Sequence, residues 1–92
     1  MAVNGASEMT RYGAVQVQLT ITDGRITDVT ALDYPNRDRQ DRQINTRAIP
    51  ELRNQVITAQ SANVQGVSGA TYTTEGYLAS VQSALDVAGL GT

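Results

Sequence analysis

Hydroxyl-bearing side chains crowd one short stretch of this chain, where Ser68-Gly69-Ala70-Thr71 is followed at once by Tyr72-Thr73-Thr74. Gly69 and Ala70 clear the space beside Thr71, so a large group can reach its hydroxyl. From Glu75 to Ala88 the residues EGYLASVQSALDVA read as a helix. A helix beginning here offers N–H groups without intrahelical partners and the positive end of its dipole, both suited to an anion such as phosphate. The chemistry these residues offer is that of holding an anion such as a phosphate. Catalysis by the chain itself has little to draw on, because it contains no Cys, His, Lys, Trp or Phe. That composition removes disulfides, thiolate chemistry and thiolate metal sites, and with them the commonest general base. Ser68 has no His or Lys to activate it as a nucleophile. The stretch Gly66–Thr71 lacks the lysine and the glycine spacing of a phosphate-binding P-loop, and no G-x-G-x-x-G follows a strand. Asp23, Asp28, Asp33, Asp38 and Asp41 are too scattered for a calcium loop and read as surface charges.

The run Gln65-Gly66-Val67-Ser68-Gly69-Ala70-Thr71-Tyr72-Thr73-Thr74, with Tyr77, Val81 and Leu85 continuing on one helical face, resembles the attachment motif of the FMN-binding domain family. That family includes the flavin-carrying C and G subunits of sodium-pumping NADH:quinone reductases and Rnf complexes. Upstream, Tyr12-Gly13-Ala14-Val15-Gln16-Val17 is similar to the family's opening strand. Ile44-Asn45, Ala48-Ile49-Pro50 and Ala59-Gln60-Ser61-Ala62 are similar to its central segment. The resemblance runs from about Tyr12 to Ala88. It implies that FMN is the cofactor and that Thr71, the last residue of S-G-A-T, receives it through a phosphoester made by a separate flavin transferase. It further implies that Ser68, Gly69, Ala70, Tyr72, Thr73, Thr74, Gln65, Tyr12, Gly13 and Asn45 surround the cofactor. Gln65 stands where family members with covalent flavin usually carry Asp. Covalent and reversible binding both stay open on that account.

Ninety-two residues make one domain with one modest core. All seven basic residues are Arg against nine acidic ones, a formal charge of −2, which argues against a general nucleic-acid binder. Arg37, Arg39, Arg42, Arg47 and Arg53 cluster, but Asp38, Asp41 and Glu51 interleave with them, as on a solvated face. An arginine there could still reach a flavin phosphate or ring. No apolar run is long enough to span a membrane or form a signal peptide. Residues 1–10 read as a disordered lead-in and 11–92 as the domain, cut from a longer protein with its anchor removed.

The elements that must position these residues follow from periodicity. Val15, Val17, Leu19 and Ile21 alternate with Gln16, Gln18, Thr20 and Thr22, a half-buried strand. Asp23-Gly24 marks a hairpin, and Ile26 to Tyr34 returns, its alternation slipping near Asp28-Val29 as at a bulge. Pro35 ends that strand, and Asn36 to Gln43 reads as a charged loop. A helix is expected from about Pro50 to Gln60, with Pro50 in its first turn. Asn63 to Val67 reads as a short strand leading into the hydroxyl-rich loop. Thr73 or Thr74 is the expected cap of the last helix, Tyr77, Leu78, Val81, Leu85 and Ala88 its buried stripe, and Gly89 its stop. The fold class is α+β: a small antiparallel sheet, hairpin plus short strand, packed with two helices.

Two functions are compatible with this reading. The resemblance implies an FMN-binding extracytoplasmic electron-transfer module, membrane-anchored in the full-length protein, with a membrane redox protein as donor or acceptor. The alternative is a cofactor-free interaction or scaffold domain that retains the fold. Flavin absorption near ~450 nm separates them, because the chain's own chromophores are tyrosines.

Overall fold

The computed structural model describes residues 1–90; the last two residues of the expected domain, 91–92, lie outside the described residues. Two short strands, β1 (Ala2–Asn4) and β2 (Glu8–Thr10), precede a long hairpin of β3 (Gly13–Thr22) and β4 (Arg25–Asp33), and helices α1 (Arg39–Ala59) and α2 (Thr71–Ala88) follow. Every pairing is antiparallel, and β3 is the common partner of the other three strands.

β3 alternates as its sequence dictates, with Val15, Val17, Leu19 and Ile21 buried and the residues between them half-exposed. Asp23 (φ 54°) and Gly24 (φ 76°) both take the left-handed conformation that a two-residue hairpin turn demands. In β4, Ile26 and Val29 are both buried although three residues apart. The register shift between Thr20 and Ile21 explains it: Thr20 faces Asp28 while Ile21 faces Ile26, so Thr27 is the extra residue of a bulge. The slip expected near Asp28-Val29 lies one residue upstream, and a second shift between Gln16 and Val17 leaves Leu32 unpaired.

Both helices pack on the sheet, α2 mainly on β3 and α1 on β4. Tyr77, Val81, Ala84 and Leu85 of α2 are buried together with Ala48, Leu52 and Val56 of α1 in the one core. Leu78 and Ala88, expected in the buried stripe, are partly buried against it. Gly76 is what lets α2 approach: a Cβ there would lie 2.7 Å from Thr10 Cγ2 and 3.1 Å from Val15 Cβ. Gly89 (φ 77°) ends the helix, as its left-handed conformation allows.

Three expectations are corrected. The first ten residues are not a disordered lead-in, since β1 pairs with Gln18–Thr20 and β2 with Gly13–Val15. Val3 is buried in the core, the Gly5 N–H donates to the Val17 carbonyl at 2.9 Å, and Ser80 Oγ of α2 donates to the Ala6 carbonyl at 2.8 Å. The first helix starts at Arg39, so most of the expected Asn36–Gln43 loop is helical and Pro50 is interior. Asp38 caps it, accepting the Asp41 N–H at 2.8 Å, and burial of Asn45 and Ala48 holds the turns ahead of Pro50 against its missing donor. Asn63–Val67 forms no strand. Its backbone is held instead by a side chain: Gln55 Nε2 donates to the Gly66 carbonyl and Gln55 Oε1 accepts the Gly66 N–H, each at 2.9 Å.

Candidate functional site

The hydroxyl-rich loop is held at both ends before it reaches α2. Gln55 clamps Gly66 from the side of α1, and the Val67 N–H donates to Thr74 Oγ1 at 3.2 Å. Gly66 (φ 87°) is required here, because a Cβ would lie 2.5 Å from Thr74 Cγ2. Gly69 (φ 86°) takes the second left-handed turn, and the chain enters α2 directly from Ala70.

Neither Thr73 nor Thr74 caps the final helix, contrary to expectation. Ala70 is the N-cap residue, so α2 starts three to four residues earlier and has no side-chain cap bond. Thr73 is buried within the first turn, and the Thr74 hydroxyl serves the loop through Val67. The first backbone bond of the helix runs from the Thr74 N–H to the Ala70 carbonyl at 2.8 Å. The N–H groups of Thr71, Tyr72 and Thr73 precede it and form the open positive end of an 18-residue helix. No acidic residue stands in that first turn. Thr71 and Tyr72 are exposed and Ala70 is buried, so the attachment candidate projects outward from a fixed base.

A cavity of about 60 Å³ opens beside this helix start, lined by Tyr12, Pro35, Asp41, Ile44, Asn45 and the run Gly69–Thr73. Tyr12, Asn45, Gly69, Ala70, Thr71, Tyr72 and Thr73, distant in sequence, thus meet in one place. Tyr12 arrives on the turn between β2 and β3, where its ring meets that of Tyr72 edge-on at 5.3 Å and 78°. Asn45 arrives on α1. Its Nδ2 donates to the Pro35 carbonyl at 2.6 Å, which leaves Oδ1 as an acceptor. Asn45 is only 2% exposed, and Oδ1 has no partner among the described residues. A buried acceptor without a donor costs about 1–3 kcal/mol, so this carbonyl is suited to a donor brought by a ligand.

The remaining expected residues sit at the margins. Gln65, Ser68 and Thr74 line a second cavity of about 350 Å³ with Gly66, Val67, Thr71 and Glu75, so Thr71 borders both spaces. Gly13 lies outside both, against Pro35, and lines a third space with Tyr12 and Tyr34. Sequence reasoning missed Pro35, Asp41 and Ile44, because the helix that carries the last two was expected to begin later. It also missed Gln55, whose two hydrogen bonds with the Gly66 backbone have no local sequence signal.

These features fit FMN. The helix start and the hydroxyls of Ser68 and Thr71 suit its phosphate, and Asn45 Oδ1 suits a donor on its ring or ribityl chain. The cavity is far smaller than the roughly 300–1,000 Å³ that encloses a ligand, so it would not enclose a flavin ring. The family model of the FMN-binding domain matches residues 11–86, and the chain belongs to that family. No curated protein matches the chain.

Proposed function

From membership of the FMN-binding domain family, we propose that this chain is the flavin-carrying module of an extracytoplasmic electron-transfer protein. The observation that carries the reading is the convergence of the open α2 start, the S-G-A-T loop and the unpaired Asn45 carbonyl at one cavity. Flavin supplies the redox chemistry, and the residues described here bind and orient it. Asn45 Oδ1 would accept a hydrogen bond from the bound group, Tyr12 and Tyr72 would border its ring, and the N–H groups of Thr71 to Thr73 would hold its phosphate. The chain contains no His, Cys or Lys, which suits a carrier without a substrate of its own. Tyr12 and Tyr72 are 52% and 40% exposed, and Met9 beside them 78%. That apolar rim leaves room for a membrane redox protein to approach. No helix among the described residues is long and apolar enough to cross a membrane.

Covalent attachment is proposed at Thr71, through a phosphoester made by a flavin transferase. Thr71 is exposed, follows Gly69 and Ala70, and opens the helix. Ser68 shares the second cavity but precedes the helix start, and Thr73 is buried. Intact mass after coexpression with a flavin transferase tests the assignment. An FMN adduct is expected on the wild type and absent from Thr71→Ala, and an adduct that survives the substitution would place the bond elsewhere. Gln65 borders the same cavity as Thr71, so Gln65→Asp should raise the flavinylated fraction.

The module itself is tested by a visible absorption scan of the purified domain after expression with FMN supplied and the transferase active. Flavin bands near ~450 nm are expected, since tyrosine does not absorb there. Colourless protein would favour the cofactor-free scaffold instead.

A further inference from the structure

We propose that Arg47 is the counter-charge for the ligand's phosphate, and that through it the domain prefers phosphorylated over unphosphorylated flavin. The inference rests on the FMN-carrying reading and adds a residue outside the S-G-A-T loop. Arg47 lies on α1, and its Nη2 is 3.7 Å from where a Cβ on Gly69 would stand, with no other neighbour that near. Gly69 is thus both the turn into α2 and a point where the loop comes close to a guanidinium.

Arg47 is also uncommitted. Arg53 donates to Asp28 at 2.7 Å, and Arg42 to the carbonyls of Asn36 and Arg37. Arg47 has no ion pair or hydrogen bond of this kind among the described residues. Two carboxylates border the region, Asp41 at the first cavity and Glu75 at the second. Asp41 lies six residues before Arg47, about 9 Å along the helix axis and roughly 120° around it, so its carboxylate stands on a different face of α1 from the guanidinium.

A helix start and a cation alone would accept any passing anion. The independent sign of a ligand is Asn45, buried, with Oδ1 unpartnered, lining the cavity that Gly69–Thr73 also line. A molecule that satisfies both presents a donor to Asn45 and an anion to Arg47 and the α2 start. A flavin with a phosphate monoester does this, its phosphate carrying about −1.5 to −2 near pH 7 as in other monoesters. Riboflavin offers the same ring and ribityl donors without the charge. Guanidinium matches phosphate through paired N–H donors, which an amide at the same position does not.

The test is titration of the apo domain with FMN and, separately, riboflavin, for wild type, Arg47→Gln and Arg47→Lys, at low and high salt. Expected is tighter binding of FMN than of riboflavin by the wild type, with a preference that shrinks as salt rises. Arg47→Gln should weaken FMN about tenfold and leave riboflavin unchanged, while Arg47→Lys keeps most of the preference. An equal loss for both flavins would overturn the proposal, because it marks a structural role; unchanged FMN affinity would overturn it as well. A wild type that binds neither flavin would remove the FMN-carrying reading, and this proposal with it. Wild-type binding of both without an Arg47 effect would leave that reading standing and sink only the assignment of Arg47. The exposed position of Arg47 keeps the melting temperature of both variants near the wild-type value.

Discussion

At the scale of single residues, small side chains and backbone conformation decide what reaches Thr71. The run S-G-A-T carries little alone, since four small residues in a row are usually a turn, and it draws its meaning from the resemblance running from about Tyr12 to Ala88. What no spacing rule predicts is the division of labour among the hydroxyls. Thr74 bonds back to Val67 and Thr73 is buried, so neither caps the helix. Gly69 offers a clear experiment. Its φ of 86° is strained for a β-branched residue, so Gly69→Val should cost about 1–2 kcal/mol of stability. The new side chain also occupies the gap in front of Arg47 and the cavity wall, where the ligand's phosphate is proposed to lie. FMN affinity should therefore fall by more than the stability loss accounts for, as read by titration of the folded fraction. An unchanged affinity in folded Gly69→Val protein would place the flavin elsewhere.

At the scale of elements, periodicity identified the β3–β4 hairpin and α2, whose apolar positions repeat without interruption. It failed for α1. Pro50 reads as a helix start, yet Asp38, with Asp41 three residues on, is the actual cap, and the first half of the helix is held by tertiary burial that propensity does not see. Asn63–Val67 failed for a related reason, since its hydrogen bonds go to the Gln55 amide rather than to a strand. Gln55→Leu removes both bonds and should cost about 1–2 kcal/mol, with faster hydrogen exchange at the Gly66 amide and weaker FMN binding. If exchange at Gly66 stayed slow, the loop would be held by something other than this side chain. A second tie joins α1 to the sheet. Asp28 Oδ1 accepts from Arg53 Nε at 2.7 Å and from the Val29 N–H at 2.8 Å, and the Arg53 bond chiefly, then the backbone bond, holds its pKa below the usual carboxylate value. A lowered folded-state pKa gives stability that is present above the unfolded pKa and lost as pH falls through the folded one. Both partners are substantially exposed, so the pair contributes less than about 1 kcal/mol. Asp28→Asn should lower the melting temperature slightly at pH 7, and the gap from wild type should close in acid below the ordinary aspartate range. A gap that stayed constant with pH would mean the charge is not what stabilises.

At the scale of the whole molecule, the α+β class was legible, but the extent of the sheet was not. The segment Met1–Ser7 is polar and small, and such a segment reads as a tail because Val3 is its one large β-branched residue. Its strand exists only because β3 presents a backbone to pair with, a non-local cause that local composition does not carry. The consequence is structural. Val3 is buried, the Ile21 N–H donates to the Met1 carbonyl at 2.7 Å, and Gly5 packs against α2 so closely that a Cβ would meet the Ser80 carbonyl. The Ser80 hydroxyl links α2 to β3 and to the segment after β1, accepting the Val17 N–H at 3.0 Å while donating to the Ala6 carbonyl. Deleting residues 1–6 would expose Val17 and Leu19 from one side, strand the Ser80 hydroxyl without its acceptor and remove the burial of Val3. Losing Val3 alone is worth about 1.5–3 kcal/mol, and the bonds to Met1, Gly5 and Ala6 add to it. The truncated domain should therefore unfold at lower denaturant concentration, by an amount corresponding to at least about 3 kcal/mol. A tail would be removable without effect, so an unchanged midpoint would show that β1 contributes nothing to the folded state. The cavity lies at the other end of the interface between sheet and α2, bounded by Tyr12 rather than by β1. Flavin affinity of the folded truncated protein should then stay near the wild-type value even as its stability drops.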